Sequence, residues 1–270
     1  MARKETALSD IASDGAKAEL EIRPQDGVLW LTLRREERRN ALSHAVLAAM
    51  TDAIAQASSD RSVRAIVVTG AGTKAFCAGA DLQADKVFTT DYSEPYGHLA
   101  ALLRAAKACN VPLIARVNGA CMAGGMGLLA MCDMAVAASH AVFGLPEVKV
   151  GVFPAQVLSV LQHLVPRRRL AEMCITGEPI TAQQALEYGL VNYVDDDVDA
   201  RLAWLLARIK DKSPAAIRRG LYTMNRIESM SFEESMSFTE SQIALFTLTD
   251  DAKEGQAAFK EKRPPKWSGP

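Results

Sequence analysis

A glycine-rich run, Asn118-Gly119-Ala120-Cys121-Met122-Ala123-Gly124-Gly125-Met126-Gly127, is followed downstream by Phe143-Gly144-Leu145-Pro146-Glu147. The first segment reads as a sharp turn opening an apolar helix. A helix start presents backbone N–H groups without intrahelical acceptors and the positive end of the peptide dipoles, which suits a developing negative charge. Glu147, set after Pro146, is a candidate acid/base. A second sharp turn lies in Phe76-Cys77-Ala78-Gly79-Ala80-Asp81-Leu82, where Gly79 permits an unusual backbone angle and Ala80 can turn its N–H into a cleft. Donors converging from Ala80 and from Ala123-Gly124-Gly125 would form an oxyanion hole for an ester or thioester carbonyl. Gly127 stands where a second carboxylate would complete a pair.

Each feature alone has a plainer reading. Glycines at 79, 124 and 125 serve tight turns and close packing, and a single glutamate is most often a surface charge. Asp81 is placed to cap a short helix beginning at Leu82, and Asp133 to pair with a neighbouring backbone N–H. Their joint order and spacing favour the functional reading. Gly70-Ala71-Gly72-Thr73-Lys74-Ala75 follows a strand and has the pattern of a dinucleotide fingerprint. Phe76-Cys77-Ala78-Gly79 then breaks any useful helix, and no acidic residue ends a second strand at the required distance, so this segment is read as a turn.

The elements that must position these groups are legible from periodicity. Residues 18–23 and 28–33 alternate apolar with polar around Pro24-Gln25-Asp26-Gly27, a hairpin pattern. Val46, Leu47, Met50, Ile54 and Ala57 have helical spacing behind a Ser43 cap. Strands are expected at 64–69, 113–117 and 134–137, with a helix at 96–108. Strands alternating with helices imply a parallel wound α/β core. Beyond Asp195-Asp196-Asp197 the pattern is helical, with starts at Pro214 and at Ser231 or Ser237. The expected organisation is an N-terminal arm (1–18), an α/β core (19–195) and a C-terminal helical region (196–270). That last region carries Met224, Met230, Phe232, Met236, Phe238 and Phe246 at spacings suited to core or subunit contact.

Composition narrows the function classes. The 270 residues are 49% hydrophobic and 23% charged with a formal net charge of −1, ordinary globular values that argue against nucleic acid as the main partner. The basic clusters Arg34-Arg35 with Arg38-Arg39, and Arg167-Arg168-Arg169, are too small to change that. Five cysteines without a CxxC pair read as reduced, mostly buried thiols of a cytoplasmic protein. Four histidines without HxxxH spacing argue against zinc. The first nineteen residues hold no long apolar run, which argues against a secretory signal, and their acidic residues argue against a transit peptide; no apolar run reaches membrane-spanning length.

Taken together, the segments resemble the crotonase superfamily, the enoyl-CoA hydratase/isomerase family. The resemblance runs from about Glu19 onward through Arg39-Asn40-Ala41-Leu42, Lys74 to Asp81, Asn118-Gly119 with Gly124-Gly125, Cys132-Asp133, Phe143 to Glu147, Thr176 to Ile180, Ala185 to Val191 and Ala258-Phe259 to Lys262-Arg263. It implies a spiral of ββα units with a C-terminal helical trimerisation region, assembled as a homotrimer or a dimer of trimers. It implies an acyl-CoA substrate, with the thioester carbonyl between the N–H groups of Ala80 and Gly124 and Glu147 as base. It also places Arg38, Ala78, Asp81, Leu82 and Lys262 at the CoA moiety, Lys262 towards a phosphate. No separate cofactor or metal is implied, since CoA arrives with the substrate.

Two departures from the family pattern shape the expected activity. In hydratases of this family two glutamates hold the attacking water, and the first falls at Gly127. One carboxylate opposite an oxyanion hole suffices for double-bond isomerisation, which is therefore favoured over hydration. Hydration by a single glutamate and non-catalytic acyl-CoA binding are the alternatives. The turn after Glu147 is altered to Gly151-Val152-Phe153-Pro154-Ala155. Ala155 replaces the aspartate that serves as nucleophile in dehalogenase-like members, which excludes covalent catalysis there. The segment 86–96, with Phe88, Tyr92, Pro95 and Tyr96, is expected to line the acyl end.

Overall fold

The computed structural model describes residues 19–81 and 93–269. The N-terminal arm, Leu82 and the expected acyl-end residues Phe88 and Tyr92 lie outside the described residues.

The chain opens with the hairpin Leu20–Gln25 (β1) and Val28–Leu33 (β2). Its two-residue turn places Asp26 at φ 50° and Gly27 at φ 75°, the doubly left-handed pair that matches the twist of a tight hairpin. Helix α1 (His44–Ser59) is capped by the Ser43 hydroxyl, which accepts from the Val46 N–H.

A repeating unit follows, in which one strand joins a larger sheet, the next joins a smaller sheet, and a helix returns the chain. The first repeat is Ala65–Gly70 (β3), Ala75–Cys77 (β4) and His98–Ala108 (α2). The second is Leu113–Val117 (β5), Ala120–Met122 (β6) and Gly124–Ala130 (α3). The third is Met134–Ala138 (β7), Val142–Gly144 (β8) and, after a 3₁₀ turn at Pro146–Val150, Ala155–Leu161 (α4). Arg167–Thr176 (α5), Ile180–Thr181 (β9), Ala182–Glu187 (α6) and Tyr193–Asp195 (β10) complete the layered part. The larger sheet has the order β1-β2-β3-β5-β7-β10 and the smaller one β4-β6-β8-β9. Apart from the antiparallel pairs β1–β2 and β8–β9, the pairings are parallel. Gly70 to Ala75 is the turn between β3 and β4, with no helix after it, as its sequence suggests.

The larger sheet is buried on both faces. Ile66 and Val68 of β3 face the main core with Met50, Ile54, Leu102 and Met126. Ala65 and Val67 of the same strand face Leu202, Leu205, Leu206 and Ile209 of α7 (Val198–Lys210). The two-residue period of a strand explains why Arg64 to Thr69 reads as one continuous β-branched run rather than as an alternation.

Three more helices close the chain: α8 (Pro214–Ile227), α9 (Phe232–Thr247) and α10 (Asp250–Glu261). The start of α9 is Ser231, which exchanges bonds with Glu234 in a capping box; Ser237, the alternative, lies inside the helix. Arg218 anchors α8 to the layered part. Its guanidinium is buried and donates to the carbonyls of Ser58 (2.9 Å), Asp60 (2.5 Å) and Val63 (3.0 Å) and to Asn110 Oδ1 (2.8 Å). All five cysteines are free thiols, and burial pushes the Cys77 thiol up to about 12. Among the described residues no helix is long and apolar enough to cross a membrane.

Candidate active site

Strands β4, β6 and β8 lie side by side and run the same way in the smaller sheet. The segments leaving their carboxyl ends are Ala78-Gly79-Ala80, Ala123-Gly124 and Leu145-Pro146-Glu147. The smaller sheet therefore gathers the three sequence-expected groups at one edge, the usual location of a site in a parallel sheet.

Each donor is aimed by the other half of its peptide unit. The Gly79 carbonyl accepts from the Leu42 N–H at 2.8 Å, and the Leu42 carbonyl accepts from the Asp81 N–H at 3.1 Å. In a planar trans peptide N–H and C=O point opposite ways, so the Ala80 N–H faces away from Leu42. The Ala123 carbonyl likewise accepts from Met126 N–H at 2.9 Å, which turns the Gly124 N–H outward from the helix. The two segments touch: a Cβ built on Gly124 would stand 3.6 Å from the Ala80 nitrogen and 3.5 Å from Leu42 Cδ1. Gly79 has φ 94°, and a Cβ there would stand 2.7 Å from that of Ala123. Both the angle and the approach require glycine.

Glu147 is tied to this edge through β8. Gly144 pairs with Met122, and its carbonyl accepts from Ala123 N–H at 2.9 Å. Pro146 then starts the 3₁₀ turn that carries Glu147. The carboxyl is half-buried, and among the described residues its Oε2 is buried without a hydrogen-bond partner. Burial raises its pKa, and a bond from its own backbone N–H acts in the opposite direction. Cys174 of α5 lies close enough that its thiol, pushed up to about 11 chiefly by burial, also feels the Glu147 charge.

Gly127 lies in the second turn of α3, buried against α4. A Cβ on it would come 2.8 Å from Val157 Cγ1. The space a side chain at 127 would enter is therefore occupied by a methyl group.

The remaining site residues fall into two groups. Ala78 and Asp81 flank Gly79-Ala80; the Ala78 N–H donates to the Arg39 carbonyl at 3.0 Å, which brings Arg38 of the exposed 3₁₀ turn Glu36–Arg38 next to that loop. Lys262 is the left-handed C-cap of α10, which packs on α8 and α9. Asp133 accepts from the Leu113 N–H at 2.8 Å, the structural role its sequence position suggests.

Several supporting residues carry no sequence signal of their own. Arg35 is buried, donates to the Ala41 carbonyl at 2.7 Å, and pairs with Asp81 at 2.7 Å and Glu19 at 2.9 Å. Asn40, at φ 56°, donates to the carbonyls of Ala71 (3.0 Å) and Ala75 (2.7 Å) and accepts from the Arg35 N–H. Asn118 donates to the Gly72 and Ala75 carbonyls and accepts from the Gly70 N–H. These residues fix the loop that carries Ala80. Asn40 and Asn118 sit in the motifs that carry the resemblance, whereas Arg35 is hidden in a run of charged residues.

A half-buried carboxylate and two glycine-bearing turns at one edge of the smaller sheet, on a spiral of ββα units, are the arrangement of a class of acyl-thioester enzymes. The chain belongs to the enoyl-CoA hydratase/isomerase family, whose model matches residues 23–270. It is 35% identical over 257 residues to the 2,3-dehydroadipyl-CoA hydratase of Escherichia coli (strain K12), covering 93% of this chain and 99% of that protein. It is 36% identical over 249 residues to the probable enoyl-CoA hydratase echA6 of Mycobacterium tuberculosis, covering 92% and 98%. Among solved structures, an enoyl-CoA hydratase of Mycobacterium smegmatis superposes with a TM-score of 0.87 at 35% identity, covering 93% of this chain and 99% of that one. Human enoyl Coenzyme A hydratase domain-containing protein 3 gives a TM-score of 0.87 at 28% identity, covering 93% and 100%.

Proposed function

We propose that this family member is an enoyl-CoA isomerase with Glu147 as its single base and the Ala80 and Gly124 amides as its oxyanion hole. The observation that carries this reading is that Val157 fills the space beside Gly127 while Glu147 Oε2 is buried without a hydrogen-bond partner among the described residues. Glu147 takes a proton from the α-carbon of a β,γ-enoyl thioester. The electron pair moves into the carbonyl, and the two amides meet the charge on its oxygen, each donor contributing about 3–4 kcal/mol of transition-state stabilisation. The same proton then returns from Glu147 to the γ-carbon, and the double bond comes to rest between the α and β carbons. The raised pKa suits the exchange, since a base closer to neutrality both accepts and returns a proton readily.

CoA is part of the substrate, and no separate cofactor or metal is invoked. Arg38, Ala78, Asp81 and Leu82 are proposed to hold the CoA moiety, Arg38 at its nucleotide end, with Lys262 reaching a phosphate, in a neighbouring subunit's site where assembly allows. Assembly as a homotrimer or dimer of trimers is supported by apolar side chains left exposed on the C-terminal helices, Phe232, Ile243, Leu248 and Phe259 among them. Five free thiols fit a cytoplasmic setting.

Hydration is the second reading, favoured by the names of the relatives, which are hydratases. Glu147 would then both orient water and supply the proton. Proton NMR in heavy water, with β,γ- and α,β-enoyl-CoA thioesters and a Glu147→Gln variant, separates the readings. Double-bond migration lost in the variant supports the isomerase. A 3-hydroxy product from the wild type establishes hydration. Binding of the thioester without α-proton exchange overturns both and leaves an acyl-CoA-binding protein.

A further inference from the structure

Three helix starts come together beside the proposed hole, and each carries an exposed polar side chain. Helix α1 begins two residues after Leu42, the residue that bridges Ala80 and approaches Gly124. Two residues of extended chain span at most about 7 Å, so His44 at the head of α1 stands close to the hole. Helix α4 reaches the same region from the other side, because Val157 packs on Gly127, one turn beyond Gly124. Its preceding residue is Gln156. Helix α2 joins the two: the His98 ring lies 4.5 Å from that of His44, tilted by 34°, and a Cβ on Gly97 would stand 4.0 Å from Gln156 Nε2.

Beside exposed Tyr96 and Phe153, which lie just before α2 and α4, the polar side chains at these starts are thus two imidazoles and a primary amide. All three are exposed, and among the described residues none of their side chains hydrogen-bonds to protein. Each neutral imidazole can donate one N–H and the amide two, without any need for net charge. Such a cluster is a poor surface for an alkyl tail, which would desolvate the donors and return nothing. It suits an acceptor with several lone pairs.

We propose that His44, His98 and Gln156 form a subsite for the far end of the acyl group, and that the preferred thioesters are short acyl chains ending in a carboxylate. The inference rests on the acyl-CoA reading of the same edge and names which acyl group it takes. The short span between the hole and His44 is what limits the chain to a few carbons.

The test is binding of saturated CoA thioesters of equal short length, one ending in methyl and one in carboxylate, measured by calorimetry on the wild type and on His98→Leu and Gln156→Leu. The expected result is at least tenfold tighter binding of the carboxylate-ended ester, with the ratio falling towards one in both variants. Equal or tighter binding of the methyl-ended ester by the wild type overturns the proposal, as does a ratio that survives both substitutions. His44→Phe checks the third member, and all three positions are exposed, so their variants are expected to fold. Because the esters are saturated, this result does not depend on turnover. Loss of the isomerase reading would instead show as no α-proton exchange with either unsaturated ester.

Discussion

A side chain at position 127 and Val157 compete for one space, since a Cβ on Gly127 would come 2.8 Å from Val157 Cγ1. Gly127→Glu alone is therefore expected to fail as a route to a two-carboxylate site. Overpacking there should cost about 1–3 kcal/mol, seen as a lower midpoint in denaturant unfolding. Gly127→Glu with Val157→Ala should recover part of that stability and raise the rate of 3-hydroxyacyl-CoA formation. An unchanged hydration rate in a folded double variant would show that Val157 is not what keeps this site to one carboxylate.

Arg35 should act on the reaction through Asp81. The pair is nearly buried, and Asp81 follows directly on the Ala80 donor. Arg35→Met removes the nearly buried guanidinium that pairs with Asp81 and Glu19 and should cost up to about 3–5 kcal/mol of stability. Arg35→Met with Asp81→Asn should recover much of that and still lose activity, because the Ala80 loop is no longer held. Loss of one oxyanion donor costs about 10²–10³-fold in kcat, and a misaimed donor should fall short of that. A dialkylaminocinnamoyl thioester, whose absorption shifts red when its carbonyl is polarised, reports the aim of the donors directly. A full red shift in the double variant would show that Arg35 serves stability alone.

How much of this was legible in the sequence depended on whether a residue's role is set by its neighbours in the chain. The Ser43 cap, the strand at Leu113–Val117 and the left-handed Gly79 are local decisions, and all three are readable from short segments. Ala123 is different: it adopts φ 50° and ψ −123° only because its N–H is held by the Gly144 carbonyl and its own carbonyl by Met126. An alanine gives no hint of such a conformation. Arg35 stands among five other charged residues in 34–39, and only the fold distinguishes the one that is buried. Gly127 shows in the sequence as a missing carboxylate, but that Val157 occupies the space is a fact of α3 packing on α4. The polar cluster of His44, His98 and Gln156 draws on α1 and on the first and third repeats, and has no sequence signature.

The pH dependence of turnover should follow Glu147. Burial raises its pKa above the usual glutamate value, so the base is protonated and inactive below that raised value. The acidic limb of kcat/KM is expected above the ordinary glutamate range, and Glu147→Gln should cost about 10²–10⁴-fold and abolish the limb. Stability carries the opposite sign. The native state binds its proton more tightly than the unfolded chain does, so stability falls as pH rises from the unfolded to the folded pKa. Glu147→Gln should therefore be more stable than the wild type at neutral pH, with the difference vanishing below the unfolded value. Chemical denaturation across that range measures it, and a variant less stable at neutral pH would contradict the assigned direction.

Ala123→Gly should separate strain from catalysis. A non-glycine residue at this angle costs on the order of 1–3 kcal/mol, and glycine returns roughly 0.5–1 kcal/mol of that to the flexibility of the unfolded chain. A net gain of about 1 kcal/mol in unfolding free energy is expected. The Gly124 amide keeps its direction as long as the Ala123 carbonyl still accepts from Met126 and its N–H still donates to Gly144, so kcat should change by less than about threefold. The adjoining change, Gly79→Ala, should behave in the reverse way: its Cβ would meet Ala123 Cβ at 2.7 Å and the Gly124 nitrogen at 3.0 Å, forcing the two donor segments apart. Its kcat should fall by about 10²-fold or more while CoA-ester binding weakens less. If Ala123→Gly lost kcat as severely as Gly79→Ala, the strained turn itself would be needed to aim the Gly124 donor.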